Sequence, residues 1–352
     1  MFLNQRGRDY RKIAIVLMGM SLSIPIQANQ GINIITWWGY FTPELLMPIE
    51  NKCKVKISYD EFYSNPELFR RMKKEEYDIA IYGDSVHQYF SRLYPQQYAN
   101  ISQDITAHYH PLVKDLYQRS GLPSNTVYFQ LSLAGLLWNP INIRLDETDT
   151  LGTIIEKSKG KTIVLMDEHV EVLNFLSDMD STHLKFISKY NETTILQVVE
   201  LFEESHVIIA NNLGNIAHKG DFAFAFTWSG EALKKIIQGE LNHQFMAHVG
   251  LSHWSSTVLE LVSNKQGGQC VARELASENM INKVIKKSYS FSPYGISIKN
   301  SREMDPQYNR VVDYFFTHIH KLEKLKNEPY DVYKAYDKEW QKLKLLINSS
   351  RQ

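Results

Sequence analysis

The sequence predicts an α/β protein of two lobes, each a mostly parallel sheet flanked by helices, with crossover strands joining the lobes. Three observations carry this expectation. A chain of 352 residues with 43% hydrophobic content is long enough for two separate cores. Short β-branched or aromatic runs alternate with helical patterns, as in layered folds built on parallel sheets. The apolar run from Tyr128 to Asn139 is too long for one ordinary strand and suits a strand that crosses between domains, with His253 to Leu259 as the return crossing.

Taken in order, the strand runs are 32–37, 54–59, 77–82, 127–138, 162–166, 222–227 and 256–262. In the first of these, Ile32, Ile34, Ile35 and Trp37 read as a buried strand. Thr42, Pro43 and Glu44 then supply an N-cap, a proline at the first helical position and an acid in the first turn. Helical spacing marks 43–50, 65–74, 110–118, 170–178, 193–204, 230–238, 269–286 and 307–324. The tail repeats Tyr333, Tyr336, Trp340 and Leu343 at helical intervals, which predicts a helix packed across a lobe. The resulting boundaries are 1–28 as a signal peptide, 29–135 plus 255–305 as lobe 1, 136–254 as lobe 2, and 306–352 as C-terminal helices on the lobes.

The signal-peptide reading rests on Arg6, Arg8, Arg11 and Lys12 ahead of an apolar run from Ile13 to Ile26, with Ala28 as the small residue for cleavage. That run is short for a membrane span, although an uncleaved anchor is the alternative. Export as a soluble monomer is expected. The 39 basic and 39 acidic side chains cancel, and removing the leader takes four basic and one acidic group, leaving 35 against 38. No basic face for nucleic acid is indicated. Only Cys53 and Cys270 occur, which could pair in an oxidising compartment or remain two buried thiols. No phosphate loop, G-x-S-x-G elbow or H-E-x-x-H helix is present, so no enzyme and no cofactor is expected. His108/His110 and His318/His320 have a spacing that does not share one helix face, which argues against a metal. Asn191-Glu192-Thr193 fits a glycosylation sequon.

Candidate site residues gather at strand ends. The stretch Thr36-Trp37-Trp38-Gly39-Tyr40 places three aromatics in a strand-to-helix loop, where open α/β sheets bind ligands. Any one ring could equally fill a core. Glu168 and Glu171 stand at a helix start, where acids also serve simply as favourable charges on the dipole. Trp228, Ser229 and Gly230 close another strand, and Trp254, Ser255 and Ser256 lie on the return crossing.

The order of these motifs resembles the polyamine-binding subgroup of bacterial periplasmic solute-binding proteins over roughly residues 32 to 300. Trp37 and Tyr40, followed by Pro43, Leu45 and Leu46, are similar to the family's Asn-Trp-x-x-Tyr loop, with Thr36 for the asparagine. Tyr63-Ser64-Asn65 resembles its Ser-Asn-Glu helix start, and Tyr77-Asp78-Ile79-Ala80-Ile81 its Tyr-Asp-Leu-Val-Val strand. Asp167-Glu168-His169-Val170-Glu171 looks like its Asp-Asp-x-x-Glu-Val segment, and Trp228-Ser229-Gly230-Glu231-Ala232 like its Trp-Ser-Gly-Asp-Ala motif. Asn211-Asn212 resembles an Asn-Ser pair that makes polar contacts.

The resemblance implies a two-lobed periplasmic-binding-protein fold. It implies capture of a small cation such as putrescine or spermidine between the lobes, and delivery to an ABC permease in the inner membrane. The implied ligand contacts are Trp37, Trp38, Tyr40, Asp84, Ser85, Glu168, Glu171, Asn212, Trp228, Trp254 and Ser256.

Departures fall on the ligand site. Ser256 replaces the aspartate of the family's Trp-x-Asp, and Ser290-Phe291-Ser292-Pro293 lacks the tyrosine of its Tyr-Pro-Thr-Pro. Trp38 stands where a small polar residue is usual and would narrow the pocket. Asp84, in a loop that usually offers serine and tyrosines, is expected to take over part of the charge lost at Ser256. These departures leave open a different small amine or an amino-acid-like solute, and a role as a ligand sensor for a membrane receptor.

Overall fold

The computed structural model describes residues 31–94, 98–177, 200, 202–210, 213, 216, 221–295, 305–325, 327 and 329–349. The leader, the sequon and most of the 193–204 stretch lie outside them. The first elements are β1 (Ile32–Trp37), α1 (Pro43–Cys53), β2 (Ile57–Phe62), α2 (Asn65–Met72) and β3 (Ile79–Gly83). A single turn at Asp84–Val86 leads into α3 (His87–Leu93), α4 (Ser102–Thr106), α5 (Pro111–Arg119) and the long β4 (Thr126–Trp138). Next come α6 (Leu151–Lys157), β5 (Thr162–Met166), α7 (His169–Ser177), β6 (His206–Ala210), β7 (Phe224–Trp228), α8 (Ser229–Ile237) and β8 (Gln244–Met246). The chain returns through β9 (His253–Leu261), α9 (Gly268–Leu275) and α10 (Glu278–Ser288), then α11 (Pro306–His318), β10 (Glu323–Lys324) and α12 (Tyr330–Ser349).

The strands lie in the order β2-β1-β3-β9-β4-β7-β5-β6, with β10 beside β9 and β8 beside β4. Each end of this path is a parallel trio, β2-β1-β3 at one and β7-β5-β6 at the other. The middle is antiparallel, because β9 runs against β3 and β4, and β4 against β7. The N-terminal part of β4, Thr126 to Leu133, pairs with β9, and its C-terminal part, Ala134 to Trp138, pairs with β7. One strand thus belongs to two sheets. The apolar cores divide at the same point: Leu133 belongs to the larger core with β1, β3 and β9, while Ala134 belongs to that of β5 and β7. At Gly135 the backbone of β8 comes so near that a Cβ would meet the Met246 carbonyl at 2.7 Å.

Three sequence expectations change in detail. The stretch 269–286 breaks at Ala276, because Ser277 caps a new helix by accepting from the Met280 amide at 3.4 Å. The stretch 307–324 stops at His318, after which Ile319, Leu322 and Leu325 are buried and Glu323 and Lys324 pair with β9. Thr42 adopts the extended N-cap backbone, but its side chain makes no capping bond.

Two ties run far along the chain. Cys53, ending α1, is bonded to Cys270 in α9, with Cα atoms 5.8 Å apart. The C-terminal helix α12 places Tyr333 in the larger core and Trp340, Leu343 and Ile347 in the other, so it straps the two lobes together. Trp340 Nε1 donates to Asp167 Oδ1 at 2.7 Å, and Lys344 Nζ meets the same carboxylate at 2.9 Å.

Candidate ligand-binding site

Parallel strands deliver their C-terminal ends to one crevice, and the loops that follow them build a cavity of about 270 Å³. From β1 come Trp37, Trp38 and Tyr40; from β3, Gly83 and Ser85; from β5, Met166, Glu168 and Glu171; from β7, Trp228, Gly230 and Glu231. The crossing strands add Ser132 from β4 and Ser255, Ser256 and Thr257 from β9. Residues from both lobes therefore face one space. The lobes also touch: Asn65 Nδ2 donates to Glu168 Oε2 at 3.0 Å, and a Cβ on Gly230 would collide with the Ser288 carbonyl.

The aromatic rings are not equivalent. Trp37 packs on Phe62 with centroids 4.4 Å apart, and Tyr40 lies over Phe129 at 6.0 Å, so each is anchored on one side and faces the cavity with the other. Burial pushes the Tyr40 hydroxyl up to about 12, against a hydrogen bond with Thr257 that works to lower it, so it is a neutral phenol. Trp38 is 53% exposed, stacks on Tyr63 at 5.7 Å, and has Lys234 Nζ of the other lobe 5.6 Å from its centroid. It forms part of the mouth. Trp228 sits at the N-cap of α8, edge-on to His253 at 5.9 Å.

The acidic end is made by the first turn of α7. Burial, then the neighbouring charges of Glu171 and Asp167, push Glu168 well above the usual carboxylate range, and the Asn65 amide offsets this only in part. Glu171 is raised to about 7, chiefly by burial and further by the charge on Asp84, while a backbone hydrogen bond works the other way. Desolvation, with the charge of Glu171 acting on Glu168, disfavours the ionised form of both acids. An ammonium group between them would favour the ionised forms and expel their protons. Glu231 also reaches the cavity and is raised to about 7 by burial, but it accepts hydrogen bonds from the Leu213 amide and Thr227.

Of the eleven residues named from sequence, Trp37, Trp38, Tyr40, Ser85, Glu168, Glu171, Trp228 and Ser256 line this cavity. Asn212 lies outside the described residues. Two corrections concern the others. Trp254 is only 2% exposed and belongs to the larger core, because β10 runs alongside it and Phe315 of α11 covers its ring at 6.4 Å. Asp84 is buried directly behind the cavity wall and its charge is already met by Lys324 Nζ at 2.6 Å. The same carboxylate accepts from Ser255 Oγ at 2.8 Å, Ser256 N at 3.1 Å and Ser256 Oγ at 2.6 Å. An acid does stand beside Ser256, yet it is not free for a ligand.

Sequence reasoning missed the polar residues that enter from helices. Asn65 begins α2, Lys234 lies in α8, and Lys287 lies near the end of α10. Helical spacing from Trp228 puts Lys234 nearly two turns on, and that is the signal that could have found it. Among the described residues no group of three or more His, Cys, Asp and Glu could hold a metal ion.

No protein-family model and no curated protein sequence matches the chain. Solved structures do. It is similar to the spermidine/putrescine ABC transporter substrate-binding protein of Streptococcus pneumoniae, at 17% identity and a TM-score of 0.68, over 90% of this chain and 99% of that one. It is likewise similar to a periplasmic binding protein of A. tumefaciens B6 in complex with glucopine, at 11% identity and 0.65, over 90% and 100%. A periplasmic thiamin-binding protein matches at 12% identity and 0.63, over 90% and 97%. The chain therefore has the mixed α/β fold of the periplasmic solute-binding proteins.

Proposed function

We propose that this chain is the periplasmic receptor of an ABC importer and captures a small organic amine, a polyamine such as putrescine or spermidine or a related aliphatic amine, between its lobes. The observation that carries this reading is the pair of half-buried Glu168 and buried Glu171 in the lining of a cavity walled by Trp37, Tyr40 and Trp228. A flexible methylene chain with an ammonium end needs apolar walls for the stem and a carboxylate for the charge. Burial raises the value of that pairing, because water does not compete for it. The polyamine receptor among the solved structures supports the amine class, and the glucopine and thiamin proteins show how widely the same fold varies its ligand.

A second reading has its own observation. Lys234 and Lys287 enter the cavity wall, so a solute with an anionic group as well as an ammonium would find a partner at each end. A thermal-shift panel of putrescine, spermidine, butylamine, 4-aminobutyrate and basic amino acids separates the two, since a ligand that binds only the folded form raises its melting temperature. Shifts with the plain amines support the first reading, shifts confined to 4-aminobutyrate and the amino acids support the second, and no shift with any of them contradicts both. Uptake of the responding solute by a strain lacking this receptor then distinguishes delivery to a permease from signalling to a membrane sensor.

A further inference from the structure

Behind the cavity wall lies a second ammonium site that the chain fills by itself. Lys324 Nζ sits 2.6 Å from Asp84 Oδ2, 3.4 Å from the Tyr128 hydroxyl, 5.6 Å from the Tyr128 ring centroid and 5.3 Å from that of Trp254. A carboxylate with two aromatic faces is what a protein offers to a cation. Burial works to lower the Lys324 ammonium, and the charge on Asp84 and the contact with Tyr128 more than reverse this, raising it to about 12. The side chain arrives from β10, the short strand that the C-terminal segment adds beside β9.

This cage abuts the cleft. Gly83 and Ser85, the neighbours of Asp84, line the cavity, as do Ser255 and Ser256, whose hydroxyls both donate to Asp84. The Asp84 charge also acts on Glu171. The acids of the region thus form two stations, Glu168/Glu171 inside the cleft and Asp84 at its wall, while Glu231 in the same lining is engaged by the Leu213 amide and Thr227. Only the first is open to a solute.

We infer that Lys324 is a specificity-determining residue: a built-in ammonium that occupies the Asp84 station, so that the cleft selects solutes presenting one ammonium group over diamines of the same length. The inference rests on the reading that the cleft takes an ammonium solute. A diamine entering it would place one ammonium on Glu168/Glu171 and find the second acid already neutralised. Its other charge would then be desolvated without a partner, which disfavours binding.

Butylamine and putrescine differ by one ammonium on the same four carbons and provide the test. Calorimetry on the wild-type chain is expected to give butylamine an affinity equal to or above that of putrescine. In K324A, Asp84 is left buried without its cation, and the preference is expected to move toward putrescine by at least tenfold. In the double variant D84N/K324M, which removes both charges, no gain for putrescine is expected. Wild-type preference for putrescine by tenfold or more would overturn the inference even if K324A fails to fold. An unchanged ratio in a folded K324A, with only a lower melting temperature, would reduce Lys324 to a structural ion pair. Failure of both amines to bind the wild-type chain would instead remove the amine reading on which the inference depends.

Discussion

Glu171 is the residue on which the chemistry of the cleft turns. It is 5% exposed, lies in the first turn of α7, and has its carboxyl lifted to about 7 chiefly by burial. Replacing it with glutamine keeps the shape and removes the charge. Loss of one charge-assisted partner costs about 1.5–3 kcal/mol, so E171Q is expected to weaken amine binding by roughly ten- to a hundredfold in calorimetry, with its melting temperature without ligand held or raised. Trp228 makes a complementary case, since it is half-buried and faces the cavity rather than filling a core alone. W228A is expected to weaken binding while the unliganded melting temperature stays near that of wild type; an equal loss of both would mark the ring as core. At this scale the sequence was legible where a motif ends a strand, as with Trp37, Glu168 and Trp228. Trp254 was misjudged because its covering partners, Phe315 and Lys324, come from α11 and β10, far along the chain. Nothing local to Trp254 announces them.

Elements carry the contact between the lobes. Helix α8 starts at Ser229 and runs so near α10 that Gly230 has no room for a side chain beside the Ser288 carbonyl. G230A is therefore expected to oppose the approach of the lobes, lowering ligand affinity about tenfold or more, with a small change in the stability of the unliganded chain; wild-type affinity would show that α10 yields. The bond between Cys53 and Cys270 ties α1 to α9 within one lobe, away from the cavity. Replacing both with serine is expected to lower stability by about 2–5 kcal/mol in denaturant titration, and to leave amine affinity unchanged. Strands β1 and β5 were readable to the residue, because their apolar runs end sharply at polar loops. Helix 307–324 was read too long, since Ile319 and Leu322 continue an apolar spacing that the backbone abandons to pair with β9. Periodicity marks burial, and burial does not require a helix.

The described residues form two sheets that share β4 and are strapped by α12. The alternation of runs and the overlong apolar segment at 127–138 were enough to read that architecture from sequence. What sequence could not convey is how charge is distributed once the chain closes on itself. Asp84 looked like a ligand carboxylate and is spent on Lys324, whereas Lys234 and Lys287, which no motif singled out, line the cavity. Glu168 and Glu171 in the cavity lining are both raised, and the charge of Glu171 acts on Glu168. An amine keeps its proton at neutral pH, with an ordinary value near 10. Its arrival between the acids lowers their pKa, so protons leave as it binds. By linkage, affinity must then rise with pH through about 7, the value of Glu171 in the empty cleft, and fall as pH drops below it.

Calorimetric titration of the wild-type chain with butylamine at about pH 6, 7 and 8, each in two buffers of different ionisation enthalpy, reads that linkage directly. The amine–carboxylate cleft predicts tighter binding at each step up in pH, with net proton release that E171Q reduces. Binding that is independent of pH, or that tightens as pH falls with proton uptake, would contradict it.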